Sequence, residues 1–237
     1  MMRDIIYSLP EQILQTVGSV PRMSFGRKKY GSVVVCGMGG SGISGEIAAV
    51  LYPGVQVIVN KDYDVPAFID NSTLAILVSY SGNTEETLAN YRYLSRHGVD
   101  MVLISSGGEL LAKKAVVKVV VPTGLPPRGA LGHLFSSLPI IMYRAGLIEE
   151  DPRKGLLDLA AFLTGRRDAI EKTAQRAARL LVDRLIVIYA NSPRFAVVAN
   201  RWRCQLNENS KVLAHINVIP EMNHNEIVGW QNPGKLF

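Results

Sequence analysis

A chain of 237 residues with 48% hydrophobic side chains can bury the core of one large domain or of two compact α/β units. No run reaches the roughly 18 to 20 consecutive apolar residues of a membrane span, and the N-terminal stretch MMRDIIYSLPEQIL mixes polar with apolar residues where a signal peptide would be apolar, so a cytoplasmic protein with no membrane partner is expected. The net charge of +6 suits an anionic partner; the basic residues (Arg27-Lys28-Lys29, Lys113-Lys114, Arg166-Arg167, Arg201, Arg203) are scattered and not interleaved with aromatics, which argues against nucleic acid.

Short β-branched runs alternate with helix-like segments, each run closing in a turn rich in Gly, Ser or Pro, as in βαβ units around a parallel sheet. Strands are predicted at Ser32–Cys36, Gln56–Val59, Leu74–Ser79, Asp100–Ser105 and Lys118–Val121, and their continuous apolar character suits burial on both faces. Helices are predicted over Ser44–Leu51, Thr84–His97 and about Ala130–Arg144. In the second, Asn83 is the expected cap, Glu86 follows three residues on, Leu88, Tyr91 and Leu94 share a face, and Gly98 stops the helix. From Asp151 the pattern restarts: an Arg-rich helix from about Asp168 to Val182, a strand at Leu185–Ala190, a helix from about Arg194 to Asn207 and a strand near Ile216–Ile219. The expected architecture is therefore a doubly wound parallel sheet over residues 1–150, flanked by helices, followed by a second, incomplete α/β unit over 151–237. Cys36 and Cys204 lie far apart, neither with metal-ligand spacing, and read as reduced structural thiols.

Two loops carry the chemistry. Gly37-Met38-Gly39-Gly40-Ser41-Gly42 follows the first strand and opens the first helix, so backbone N–H groups can approach a phosphate at the positive helix end. Its spacing matches the dinucleotide fingerprint, and Asp62 lies about 20 residues beyond it, near the place of a ribose-binding acid. An NAD-dependent oxidoreductase is thus one reading, weakened by Lys61 beside the acid. The second loop, Ser79-Tyr80-Ser81-Gly82-Asn83-Thr84, sets three hydroxyls between a buried strand and a helix start. Capping needs one such residue; three can ring a phosphomonoester with neutral donors while the helix dipole offsets its charge.

These residues resemble the sugar isomerase (SIS) family, and within it the archaeal-type bifunctional phosphoglucose/phosphomannose isomerases. Gly37 to Gly42 is similar to the family's Gly-Gly-Ser-Gly segment, Ser79 to Thr84 to its Ser-Tyr-Ser-Gly-Asn-Thr loop and Pro127-Arg128 to its Pro-Arg loop. Asn207-Glu208-Asn209 and Pro220-Glu221-Met222-Asn223-His224-Asn225 resemble its Asn-Glu-Asn and His-Asn motifs. The resemblance implies that Gly40, Ser41, Ser79, Ser81 and Thr84 bind the phosphate of a phosphorylated hexose, that Glu208 moves a proton between C1 and C2, that His224 assists ring opening, and that Arg128 stabilises the enediolate. It also implies a homodimer, because in this family the histidine reaches the site from a neighbouring subunit. Aldose–ketose exchange of this kind, between glucose 6-phosphate or mannose 6-phosphate and fructose 6-phosphate, calls for one well-placed base and a nearby cation, with neither metal nor redox cofactor. Glu226 is a less favoured alternative for the base.

One departure stands against the pattern. Family chains usually continue past the His-Asn motif and supply a late lysine; Lys235 here lies in a Pro-Gly-Lys-Leu-Phe context that does not match and is not assigned that role. A non-catalytic phosphosugar-binding module is therefore kept as an alternative function.

Overall fold

The computed structural model describes residues 2–20, 25–26 and 28–231, so Lys235 lies outside the described residues. The chain forms two compact units, divided between Asp168 and Ala169 inside one long helix. Among the described residues no helix is long and apolar enough to cross a membrane.

The first unit begins with helices α1 (Met2–Tyr7) and α2 (Leu9–Ser19), and continues β1 (Ser32–Cys36), α3 (Gly39–Leu51), β2 (Gln56–Asn60), β3 (Thr73–Val78), α4 (Glu85–Arg96), β4 (Met101–Ser105), α5 (Gly108–Ala112), β5 (Val117–Val120), α6 (Leu131–Arg144) and the start of α7 (Arg153–Leu181). The five strands pair in parallel in the order β2-β1-β3-β4-β5. Successive residues of a strand point to opposite faces, and the core divides accordingly. Val33, Val35, Leu74, Ile76 and Val78 pack with Ala48 of α3 and Leu134, Leu138 and Ile141 of α6. Val34, Cys36, Ala75, Leu77 and Leu103 pack with Leu88, Tyr91 and Leu94 of α4 and Leu110 of α5. All six residues of β3 are buried, as a central strand covered on both sides requires. Burial pushes the Cys36 thiol up to about 12, so it is an inert apolar group; Cys204 is also unpaired with any other cysteine. Outside this sandwich, Ile13 of α2, Phe135 and Ile140 of α6, and Leu156 and Ala160 of α7 form a further cluster.

This order differs from the dinucleotide-binding arrangement 3-2-1-4 because β3, not a later strand, lies beside β1. The direction of winding reverses between β1 and β3, and the crevice at the carboxyl ends of those two strands is where an open α/β sheet binds ligands. Both loops singled out in the sequence start there.

Three local expectations change. α7 begins at Arg153, well before Asp168. The residue capping α4 is Thr84, not Asn83, whose side chain instead accepts the Glu109 N–H at 2.9 Å. The glycine-rich loop is itself helical from Gly39 onward.

The second unit pairs β6 (Ile186–Ala190) in parallel with β7 (Ala214–Val218) through α8 (Ala196–Gln205), and ends in α9 (Glu226–Gly229). A wide π-helical turn over Leu206–Ser210 joins α8 to β7, and a 3₁₀ turn over Glu221–His224 follows β7.

Buried polar groups occupy an unusual place on α2. Thr16 Oγ1 donates to the Gln12 carbonyl at 2.8 Å, leaving its lone pairs to accept from His133 Nδ1 at 3.0 Å. With the Thr16 hydroxyl donating to Gln12, Nδ1 carries the His133 proton, and burial disfavours the charged ring, lowering its pKa below the ordinary 6.5. The folded state then binds fewer protons than the unfolded chain, so this contribution is complete above about pH 6.5 and shrinks as pH falls through that value toward the folded pKa. Urea midpoints of the wild type should fall between pH 7.5 and 5.5, and His133→Asn should show a shallower fall; equal slopes would refute the assignment.

Candidate phosphate site and the distal carboxylate

The ends of β1 and β3 approach closely: a Cβ on Gly37 would stand 2.7 Å from the Val78 carbonyl oxygen. The first turn of α3 sits on this junction, with Ser41 buried and Gly40 partly exposed. Lys61 crosses that turn so tightly that a Cβ on Gly42 would meet its Cε at 2.7 Å, and its amine pairs with Glu46 one turn further along α3. Asp62 is exposed and turned onto its own backbone, accepting the Tyr63 N–H at 2.6 Å.

The neighbouring loop is organised by its hydroxyls. Buried Ser79 Oγ lies 2.8 Å from Thr84 Oγ1 and accepts the Gly82 N–H at 3.0 Å, which closes the loop into a ring. Ser81 is exposed at the rim, its Oγ accepting the Asn83 N–H at 3.3 Å. Gly82 adopts φ +71, and a Cβ there would overlap the Gly107 carbonyl oxygen at 1.8 Å, so only glycine fits. Thr84 is also the N-cap of α4, so the ring adjoins a helix start, where backbone N–H groups lack partners inside the helix. The structure thus brings Gly40, Ser41, Ser79, Ser81 and Thr84 to the switch point of one sheet, at two adjacent helix starts. Such a cluster of neutral donors can hold a dianion without a fixed countercharge.

Arg128 lies in the same unit, in a 3₁₀ turn over Pro127–Gly129. Two residues that sequence reasoning did not single out hold this segment. Tyr80, inside the hydroxyl loop, donates to the Pro122 carbonyl at 2.8 Å and accepts the Leu125 N–H at 2.9 Å. Gln12 of α2 donates to the Gly129 carbonyl at 2.9 Å and accepts the Gly132 N–H at 3.1 Å.

In the second unit Glu208 is exposed on the turn after α8. The flanking asparagines serve the backbone and the helix: Asn207 Oδ1 accepts the Ala214 N–H at 3.0 Å, and Asn209 donates to Gln205 at 3.1 Å. The Asn-Glu-Asn pattern therefore fixes the turn that carries exposed Glu208. Arg201 stands within electrostatic range: burial lowers its pKa, and the Glu208 charge works against that shift. Glu226 is engaged differently. Bonds from Tyr189 Oη at 2.5 Å and from Asn217 hold its carboxyl below the ordinary range, which makes it a poor proton acceptor.

Glu208 and His224 do not meet within one unit. Glu208 precedes β7 and His224 follows it, both exposed. The five residues of β7 separate the two edges by about 16 Å at roughly 3.3 Å per residue.

Comparison with known proteins matches residues 28–139 to the SIS domain and residues 170–236 to the bacterial phospho-glucose isomerase C-terminal SIS domain. A bifunctional phosphoglucose/phosphomannose isomerase of Caldicellulosiruptor bescii is 39% identical, covering 100% of this chain and 74% of that protein. One of Thermoplasma volcanium is 37% identical over 86% of this chain and 64% of its own length. Among solved structures, the C-terminal domain of glucosamine-fructose-6-phosphate aminotransferase from Francisella tularensis superposes with a TM-score of 0.78 at 17% identity, over 96% of this chain and 72% of that one. The chain thus spans between about two thirds and three quarters of the length of these relatives.

Proposed function

Because the chain belongs to the SIS family, with the bifunctional phosphoglucose/phosphomannose isomerases as its relatives, we propose that it is an aldose–ketose isomerase that interconverts glucose 6-phosphate or mannose 6-phosphate with fructose 6-phosphate. The observation that carries this reading is the closed ring of Ser79, Gly82 and Thr84 beside Ser41 at the sheet's switch point, which matches a phosphomonoester and offers no acid for a ribose.

In the proposed mechanism the phosphate sits in that ring and the sugar chain, once opened with help from His224, extends from it. The Glu208 carboxylate removes the proton on C2 of the aldose; the C–H electron pair becomes the C1–C2 double bond, and negative charge gathers on O1. Arg128 stabilises this charge more than it does the neutral sugar, which is what lowers the barrier. The acid formed at Glu208 returns the proton to C1, O2 loses its proton as the carbonyl forms at C2, and O1 is protonated. Oxidation state is redistributed within the sugar, so no external oxidant enters. The exposed position of Glu208 and its distance from His224 along β7 support a homodimer in which one site takes its carboxylate and its histidine from different copies.

A coupled assay with fructose 6-phosphate tests the reading. Wild type should turn over, and Ser81→Ala or Thr84→Ala should raise KM about tenfold, near the worth of one charge-assisted hydrogen bond. Thermal stabilisation by fructose 6-phosphate without turnover would instead favour a binding module.

A further inference from the structure

The segment from Pro122 to Ala130 carries Arg128 yet has little regular structure of its own, one 3₁₀ turn closed by the Gly129 N–H on the Pro126 carbonyl at 2.8 Å. Two side chains from distant parts of the chain grip it, one on each side of Arg128. On the near side Tyr80 Oη bridges the Pro122 carbonyl and the Leu125 N–H. On the far side Gln12, only 3% exposed, spans the Gly129 carbonyl and the Gly132 N–H. Its second amide hydrogen goes to Ser8 Oγ at 3.1 Å, so the side chain is fully used.

The chemistry of position 12 is informative. It faces the apolar contact between α2 and α6, where a leucine would bury without desolvation cost, and a buried amide is tolerated only because each polar atom finds a partner. Those partners include the backbone groups directly beyond Arg128. Gly132 permits the approach, since a Cβ there would meet Gln12 Cβ at 2.6 Å, while a Cβ on Gly129 would meet Ile5 Cγ2 of α1 at 2.5 Å. Tyr80, for its part, has its backbone in the loop that forms the phosphate ring and its hydroxyl on the Arg128 segment, so one residue ties the two together.

We propose that Gln12 and Tyr80 are positioning residues for Arg128, clamping its loop from both sides so that the guanidinium is fixed at the place where enediolate charge develops. This rests on the isomerase reading above. The role belongs to the transition state, so losing either clamp should lower kcat and leave substrate binding intact; misplacing a group by about 1 Å can cost on the order of 100-fold.

The experiment is a pair of double-mutant cycles on fructose 6-phosphate turnover, Gln12→Met and Tyr80→Phe, each in wild type and in Arg128→Met. Both single variants should lose about tenfold or more in kcat with KM within about twofold, and neither should lose anything further once Arg128 is absent. Equal losses in the two backgrounds, or losses that follow the melting temperature, would overturn the positioning role. Tyr80→Phe keeps the ring and its packing, and carries the test if Gln12→Met fails to fold. A wild type without turnover would overturn the isomerase reading and this inference together, whereas an active wild type with additive losses overturns this inference alone.

Discussion

Glu208→Gln should lower kcat for fructose 6-phosphate by about a thousandfold, within the range that a positioned general base contributes, while KM stays within about twofold. The amide has the shape of the carboxylate and cannot take up a proton. Nothing in the hydroxyl ring is touched by the change, so binding through the phosphate should survive. The turn itself should persist, because it is held by Asn207 on the Ala214 N–H, by Asn209 on Gln205 and by Lys211 on the Glu208 carbonyl, and none of these bonds uses the Glu208 carboxylate. Circular dichroism should therefore match wild type, and the melting temperature should fall only modestly, through the lost charge beside the largely buried Arg201. A variant that keeps more than about a tenth of wild-type kcat would remove Glu208 from the mechanism. The competing carboxylate provides the control. Glu226 is committed to Tyr189 and Asn217, which keeps it charged, so Glu226→Gln should act on stability before it acts on rate. If the order of the two kcat losses were reversed, the base would be Glu226.

What the sequence could reveal depended on whether the decisive contacts were local. β1 has the bounds expected from its apolar run, and β3 is displaced by a single residue, because a strand buried on both faces is continuously apolar and its flanks are turn residues. The Ser79–Thr84 loop could be singled out for the same reason: it spans six residues, and the ring that Ser79, Gly82 and Thr84 close is short-range. The first turns of α7 could not. Gly155 and Gly165 each weaken a helix by about 1 kcal/mol relative to alanine, and the packing of Leu156 and Ala160 against Ile13 and Phe135 overrides that local preference. α2 was hidden by its own inner face, where Gln12 and Thr16 are buried and blur the amphipathic pattern that marks a helix. Asn83 looked like a cap, and only the fold shows that its side chain is spent on Glu109 across the neighbouring loop. The clamp on Arg128 was invisible for the plainest reason, since its partners are 117 and 42 residues apart in sequence. Local chemistry is written in short motifs, and positioning is written in packing.

The separation of Glu208 from His224 yields the second large effect. One variant, Glu208→Gln, keeps the histidine; another, His224→Asn, keeps the carboxylate; each alone should fall to about a hundredth of wild-type activity or less. If the protein is the proposed homodimer, then after the two are unfolded together in equal amounts and refolded, half the dimers are mixed. If each site draws its two groups from different copies, every mixed dimer has one site with both groups intact and one with neither, so activity should return to about a quarter of the wild-type value. If both groups came from the same copy, each site of a mixed dimer would still lack one of them, and no activity would return. The geometry favours recovery, because β7 stands between the two residues and a hexose is shorter than the roughly 16 Å that its five residues span. Reassembly without any gain over the separate variants, with mixed dimers demonstrated by a charge-tagged subunit, would show that the two residues do not act from opposite copies.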